Sequence, residues 1–181
     1  VIRTTVITGM PPPTPPPPAA SLDRPAGCFV SLHEIDTHKL RGCIGRLEAC
    51  ESVWATVTRM SAGVLDDPRF VDQRVRPDEL SMLELEISVL SPLRPAAHPL
   101  DFDLLNEGIV LRVGDCTGCY LPQVARETGW TRQQLLDRLC TEKLGLPAGI
   151  WQTSGASLSK FTVQILGPAP VIGAIEDSDH A

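Results

Sequence analysis

Hydrophobic and polar positions alternate most cleanly over residues 81–90. Leu83, Leu85, Ile87 and Val89 point one way and Glu84, Glu86 and Ser88 the other, as a half-buried strand requires. Cys28-Phe29-Val30-Ser31-Leu32 and residues 40–47 also read as strands, and the polar stretch 34–39 between them predicts a hairpin with a longish loop. The period then changes. Val53, Trp54, Val57, Met60, Val64 and Leu65 follow helical spacing over residues 51–65, and Pro68 ends that helix at the latest. Asp66-Asp67-Pro68-Arg69-Phe70 is a polar elbow with one aromatic anchor.

Beyond a loop at residues 92–99, residues 108–113 and 119–121 predict a second hairpin around Gly114-Asp115-Cys116-Thr117-Gly118. Thr131 and Gln134 have the spacing of a capping box. Leu135, Leu136, Leu139, Cys140 and Leu144 share the helical face that follows, which Gly145 stops. Residues 159–166 supply a final strand, with Phe161, Val163 and Ile165 on one side. At the front, residues 11–18 read PPPTPPPP, which neither a helix nor a central strand tolerates. As polyproline II this run is a stiff spacer or surface loop of about 25 Å, and the sequence leaves residues 1–8 open between helix and strand. Strands in hairpins with helices between them predict an α+β fold with antiparallel sheet.

Composition narrows the function classes. The chain has 181 residues, 43% hydrophobic and 21% charged, enough to bury a core without metals or disulfides. No apolar run reaches the about 18 residues that span a bilayer, and the first ten residues make a poor signal peptide. A net charge of −6 argues against a broad phosphate-gripping face, so extensive nucleic-acid binding is not expected. Six Cys without a secretion signal fit free thiols and a cytoplasmic protein. No Walker or dinucleotide glycine loop occurs, so no cofactor is expected. Cys116-Thr117-Gly118-Cys119 has half the ligands of a zinc knuckle and no second pair, so no metal is expected either.

Candidate chemistry concentrates in Leu40-Arg41-Gly42-Cys43-Ile44-Gly45. In an extended chain Arg41 and Cys43 share a face, and a guanidinium beside a thiol favours the thiolate, whereas apolar burial opposes it. Gly42 and Gly45 within a strand predict a bulge or a close approach by another backbone or a ligand. His33 ends the first strand, and a Cys–His pair would activate the thiol, but a one-residue slip sends the two side chains to opposite faces. Glu84 reads as part of a solvated sheet face; Glu86 is open between that and acid–base work. Asp67 and Arg69 suit a structural clamp around Pro68, and the Gln123 amide either orients a substrate or satisfies a loop. Cys28, Cys50 and Cys140 read as packing residues.

The LRGCIG segment, with Phe29-Val30-Ser31-Leu32-His33 before it, resembles the hallmark of the AMMECR domain family, whose microbial members are called protein A of the AmmeMemoRadiSam system. The resemblance continues in order through Asp67-Pro68-Arg69-Phe70, the strand from Leu85 to Pro92, Tyr120-Leu121-Pro122-Gln123-Val124 and Leu139-Cys140. It implies a two-lobed fold, with a larger five-stranded and a smaller three-stranded antiparallel sheet. On that reading residues 1–24 are a stub and proline-rich segment, 25–166 the domain, and 167–181 a frayed tail. Relatives begin with a longer helix than this stub. The resemblance also implies a binding role for LRGCIG and partnership with a Memo-like or a radical-SAM protein, without an established reaction.

Two functions follow. In the first, residues 40–45 bind a ligand or partner with help from Asp67, Arg69 and Gln123, and Arg41 anchors a carboxylate or phosphate. In the second, Cys43 is the nucleophile of an acyl-transfer or macromolecule-modifying enzyme, with Arg41, His33 and Glu86 assisting.

Overall fold

Strand β1 (Cys28–Glu34) has a neighbour on each side in the structure, a computed structural model that describes residues 1–171. The second arm of the expected hairpin, β2 (Leu40–Arg46), returns antiparallel along one edge. Along the other lies β3 (Leu83–Leu90), also antiparallel, with Cys28 opposite Val89. Val30, Leu32 and Leu83 are fully buried, as the alternation of these strands dictates. Helix α2 (Val53–Gly63) packs on β1; its cap is Ser52, which accepts the Ala55 N–H at 3.3 Å. The helix tightens into the 3-10 turn Val64–Asp66 and delivers the chain to Asp67-Pro68.

Residues 2–8, which the sequence left open, form helix α1 (Ile2–Thr8), ended by Gly9 at φ 74°. Its Ile2 joins Val30, Leu32, Val64 and Leu80 in a buried core. These elements belong to one compact unit, Val1–Val89 with the described residues from Ile165.

The second unit, Leu90–Gln164, is built around β5 (Glu107–Val113). β6 (Cys116–Tyr120) folds back on β5 across Gly114-Asp115, where Gly114 takes φ 56° as a tight hairpin turn requires. The first half of β7 (Ala156–Pro170) pairs with the other edge of β5, and the short β4 (Arg94–Pro95) adds to β7. Helix α3 (Pro122–Thr128) was not foreseen. Helix α4 (Arg132–Arg138) starts at the expected capping box of Thr131 and Gln134, then widens into the π-turn Leu139–Leu144 and ends at Gly145. Ile109, Leu111, Tyr120, Leu136, Leu139 and Trp151 make this unit's core.

The pairings β1–β2, β1–β3, β5–β6, β5–β7 and β4–β7 are antiparallel, so the fold is α+β. Its strands fall differently from a larger five and a smaller three. β2, β1, β3 and the end of β7 follow one another in the first unit; β4, β7, β5 and β6 make up the second. The end of β7 also replaces the fray expected from Gly167: the strand runs to Pro170, and the Val171 N–H donates to the Leu83 carbonyl at 2.9 Å. The rest of that tail lies outside the described residues. Among the described residues no helix is long and apolar enough to cross a membrane.

Candidate functional site

Ser31 pairs with Cys43 across the β1–β2 ladder, and Val30 with Ile44. Ile44 packs in the core with Val30 and Leu32, so the pleat turns Cys43 to the reverse face together with Ser31 and, next across on β3, Glu86. On that face the Ser31 hydroxyl donates to the half-buried Cys43 sulfur at 3.2 Å. His33 instead pairs with Leu40 and Glu84, farther along β1. The ring that bonds Glu84 is that of His38, at 3.1 Å from a turn position of φ 55°. Glu84 is only 12% exposed, which corrects the solvated-face reading.

The elbow after α2 grips the backbone of Cys43 at both ends. The Cys43 N–H donates to Asp67 Oδ2 at 2.9 Å, and Arg69 Nη2 donates to the Cys43 carbonyl at 3.2 Å. Asp67 also caps the turn Pro68–Gln73 by accepting the Arg69 N–H at 3.0 Å. The Arg69 side chain donates to the same carboxylate through Nε at 3.1 Å and Nη2 at 2.6 Å, a forked pair. Burial opposes the charge of Asp67. The Arg69 side chain, the N–H groups of Cys43 and Arg69, and the guanidinium charge outweigh it and hold the carboxyl at about 2. The bond to Asp67 raises Arg69 against desolvation, and the charge of Asp67 acts in the same sense. Asp67 is thus locked in place, whereas the Arg69 side chain remains 53% exposed.

Arg41 does not share this site. A register shift between Leu32 and His33 takes it out of the ladder, and its guanidinium donates to Glu79 at 3.1 Å and to the Gln73 carbonyl at 3.2 Å. Glu34 lies 3.6 Å away, and Arg41 is 9% exposed. The cation at the Cys43 peptide is therefore Arg69. The two glycines do permit close approaches, but by the chain itself. A Cβ on Gly42 would lie 2.5 Å from the Val64 carbonyl oxygen; one on Gly45 would overlap the Phe29 ring. Leu40 is half-buried, and Gln123 is the second residue of α3, in the other unit.

Cys116 and Cys119 pair with Val113 and Val110, and their odd spacing puts them on opposite faces of β6. Among the described residues no group of three or more His, Cys, Asp or Glu could hold a metal. Burial, opposed by Arg46, pushes the Cys28 thiol up to about 11, in keeping with a packing role.

Ser31 and Glu79 were missed from sequence. Counting from the closing pair of His33 and Leu40 would set Ser31 opposite Gly42, and only the register shift between Leu32 and His33 brings it opposite Cys43, so regular alternation hides this pairing. Glu79 had no local signal, since its pairing with Arg41 joins residues far apart in the chain.

A family model described as AMMECR1 matches residues 1–166. The chain is 32% identical over 162 residues to protein MK0488 of Methanopyrus kandleri, covering 86% of this chain and 77% of that one. With protein TK0174 of Thermococcus kodakarensis it shares 35% over 148 residues, 77% of this chain and 71% of the other. The crystal structure of the uncharacterized protein PH0010 from Pyrococcus horikoshii superposes with a TM-score of 0.83 at 29% identity, covering 91% of this chain and 84% of that one.

Proposed function

We propose, given that the chain belongs to the AMMECR1 family, that the β2 segment around Cys43 is a binding site for an anionic group of a ligand or partner chain. Arg69 carries this reading. Its guanidinium is fixed by Asp67 and by the Cys43 carbonyl, yet half of the side chain is open to solvent. A cation held in this way loses little freedom on meeting a carboxylate or phosphate. Beside it Cys43 offers a soft, polarisable group. Arg41, Gly42 and Gly45, from which the sequence argued the same role, support it indirectly by shaping β2. A Memo-like or radical-SAM protein, the partner that the resemblance implies, would present the anion from its own surface.

Iodoacetate and iodoacetamide test the site, because they differ in charge at the same alkylating carbon. Cys43 should react with iodoacetate faster, relative to iodoacetamide, by about three- to tenfold over the ratio at Cys116, and 1 M salt should erase the difference. Arg69→Gln should remove the preference and Arg69→Lys should retain part of it, with each cysteine quantified by mass spectrometry. Equal ratios at Cys43 and Cys116 in the native protein would remove Arg69 as an anion anchor.

The enzyme reading rests on the Ser31 hydroxyl at the Cys43 sulfur. Of the two bases it calls on, His33 pairs elsewhere, while Glu86 stands on the Cys43 face beside Ser31. It requires Cys43→Ser to abolish function in a folded protein, whereas the binding reading tolerates that change.

A further inference from the structure

On the face of the first unit's sheet opposite Cys43, Leu85 and Ile87 of β3 are only half-buried. They line a cavity of about 380 Å³ together with Trp54 and Val57 of α2, the start of α1 and the end of β7. Part of its wall is the proline run. The Trp54 indole N–H donates to the Pro15 carbonyl at 2.6 Å, and both residues line the cavity. Prolines have no N–H of their own to pair, so this bond to a side chain fixes an otherwise largely exposed strap against α2.

The volume falls within the range of small-molecule pockets, and the lining is mostly aliphatic and aromatic. The hydroxyl-bearing Thr58 and Ser61 add polar edges from the buried side of α2. Among the described residues of the lining one charged side chain stands, that of the exposed Arg3, and no carboxylate accompanies it there.

We propose that this cavity binds a compact apolar molecule carrying one anionic head group, with the apolar body against Leu85, Ile87, Val57 and Trp54 and the head at Arg3. An apolar body accounts for the incompletely covered β3 residues, and the sign of the head follows from Arg3. The site is separate from Cys43, since β3 and β2 present the two groups of residues to opposite faces of the sheet.

The probe is 1-anilinonaphthalene-8-sulfonate, an aromatic body with one negative group, titrated by fluorescence into the whole chain. Saturable binding at one site is expected. Octanoate should displace the dye at lower concentration than 1-octanol, because only the former carries the head group. Ala169→Trp places a large ring from an exposed position in the lining and should lower affinity at least about tenfold; Val57→Phe should do the same from the α2 side. Arg3→Gln should weaken the dye about three- to fivefold, the loss expected for an exposed ion pair. Circular dichroism confirms that each variant is folded. Binding that does not saturate, or that survives both cavity-filling substitutions unchanged, overturns the proposal. Equal displacement by octanoate and octanol, with no effect of Arg3→Gln, overturns the anionic head.

Discussion

Gly42→Ala is expected to destabilise the first unit by about 3 kcal/mol, because the new methyl meets a backbone atom that has nowhere to go. Its Cβ would sit 2.5 Å from the Val64 carbonyl oxygen and 3.1 Å from that residue's Cγ2. Val64 is 1% exposed and opens the turn leading to Asp67, so relieving the overlap means moving either β2 or the turn. Hydrogen exchange of peptides covering residues 28–46 reads the effect unit by unit, and protection there should fall about a hundredfold. Gly63→Ala provides the opposite sign in the same unit. Gly63 is helical, at φ −66°, and a Cβ there meets only the Ile44 methyl at 3.7 Å. That substitution should stabilise by about 0.5–1 kcal/mol, the helix-propensity difference between the two residues. If Gly42→Ala instead leaves exchange unchanged, the β2–Val64 contact is looser than the geometry requires, and Gly42 becomes free to serve a ligand.

The contrast between these two glycines shows what the sequence could and could not say. Two glycines inside a strand announce a close approach, and that signal is local. At Gly42 the approaching atom is decided by the turn Val64–Asp66, some twenty residues on, so a ligand and the chain's own carbonyl looked alike. The same limit explains Arg41 and Arg69. Alternation puts Arg41 beside Cys43 only in an unbroken ladder, and the shift at Leu32 and His33 breaks it at that rung. Arg69 arrives from another element, and the sequence reads it as part of a clamp around Pro68 and a helper of the binding segment, not as the cation at the Cys43 peptide.

Where the determinant is local, reading succeeds. The hairpin of β1 and β2, the alternation of β3 and the capping box at Thr131 all stand where periodicity and cap chemistry put them. α3 escaped because its seven residues, beginning at Pro122, are too short a run to show a helical period. β7 continues past the expected end because its pairing with β3 supplies partners that the Gly167-Pro168 step does not advertise.

Asp67→Ala is expected to cost about 3 kcal/mol, since it strips an acceptor from the Cys43 and Arg69 N–H groups at once. Asp67→Asn is the sharper probe, because it keeps an oxygen for the Cys43 N–H while removing the charge and turning an NH2 donor toward the Arg69 groups that Oδ1 serves. In the folded chain the Asp67 carboxyl lies at about 2, below the ordinary 3.8 that the unfolded chain takes. A depressed carboxyl contributes stability that is complete above the unfolded value and disappears as pH falls through the folded one. Between pH of about 4 and 2 the native protein should therefore lose about 2 kcal/mol through this group. Glu79 and Asp78 are also held below their usual range, so acid weakens both proteins, and the informative quantity is the difference between them. The stability gap between native and Asp67→Asn protein, from denaturant unfolding of the first unit, should be widest near neutrality and close by about 2 kcal/mol across that window. A gap that stays constant with pH would mean that the Asp67 charge does not hold Arg69. Arg69 would then reach the Cys43 carbonyl without a fixed orientation, and the preorganised cation on which anion binding depends would be lost with it.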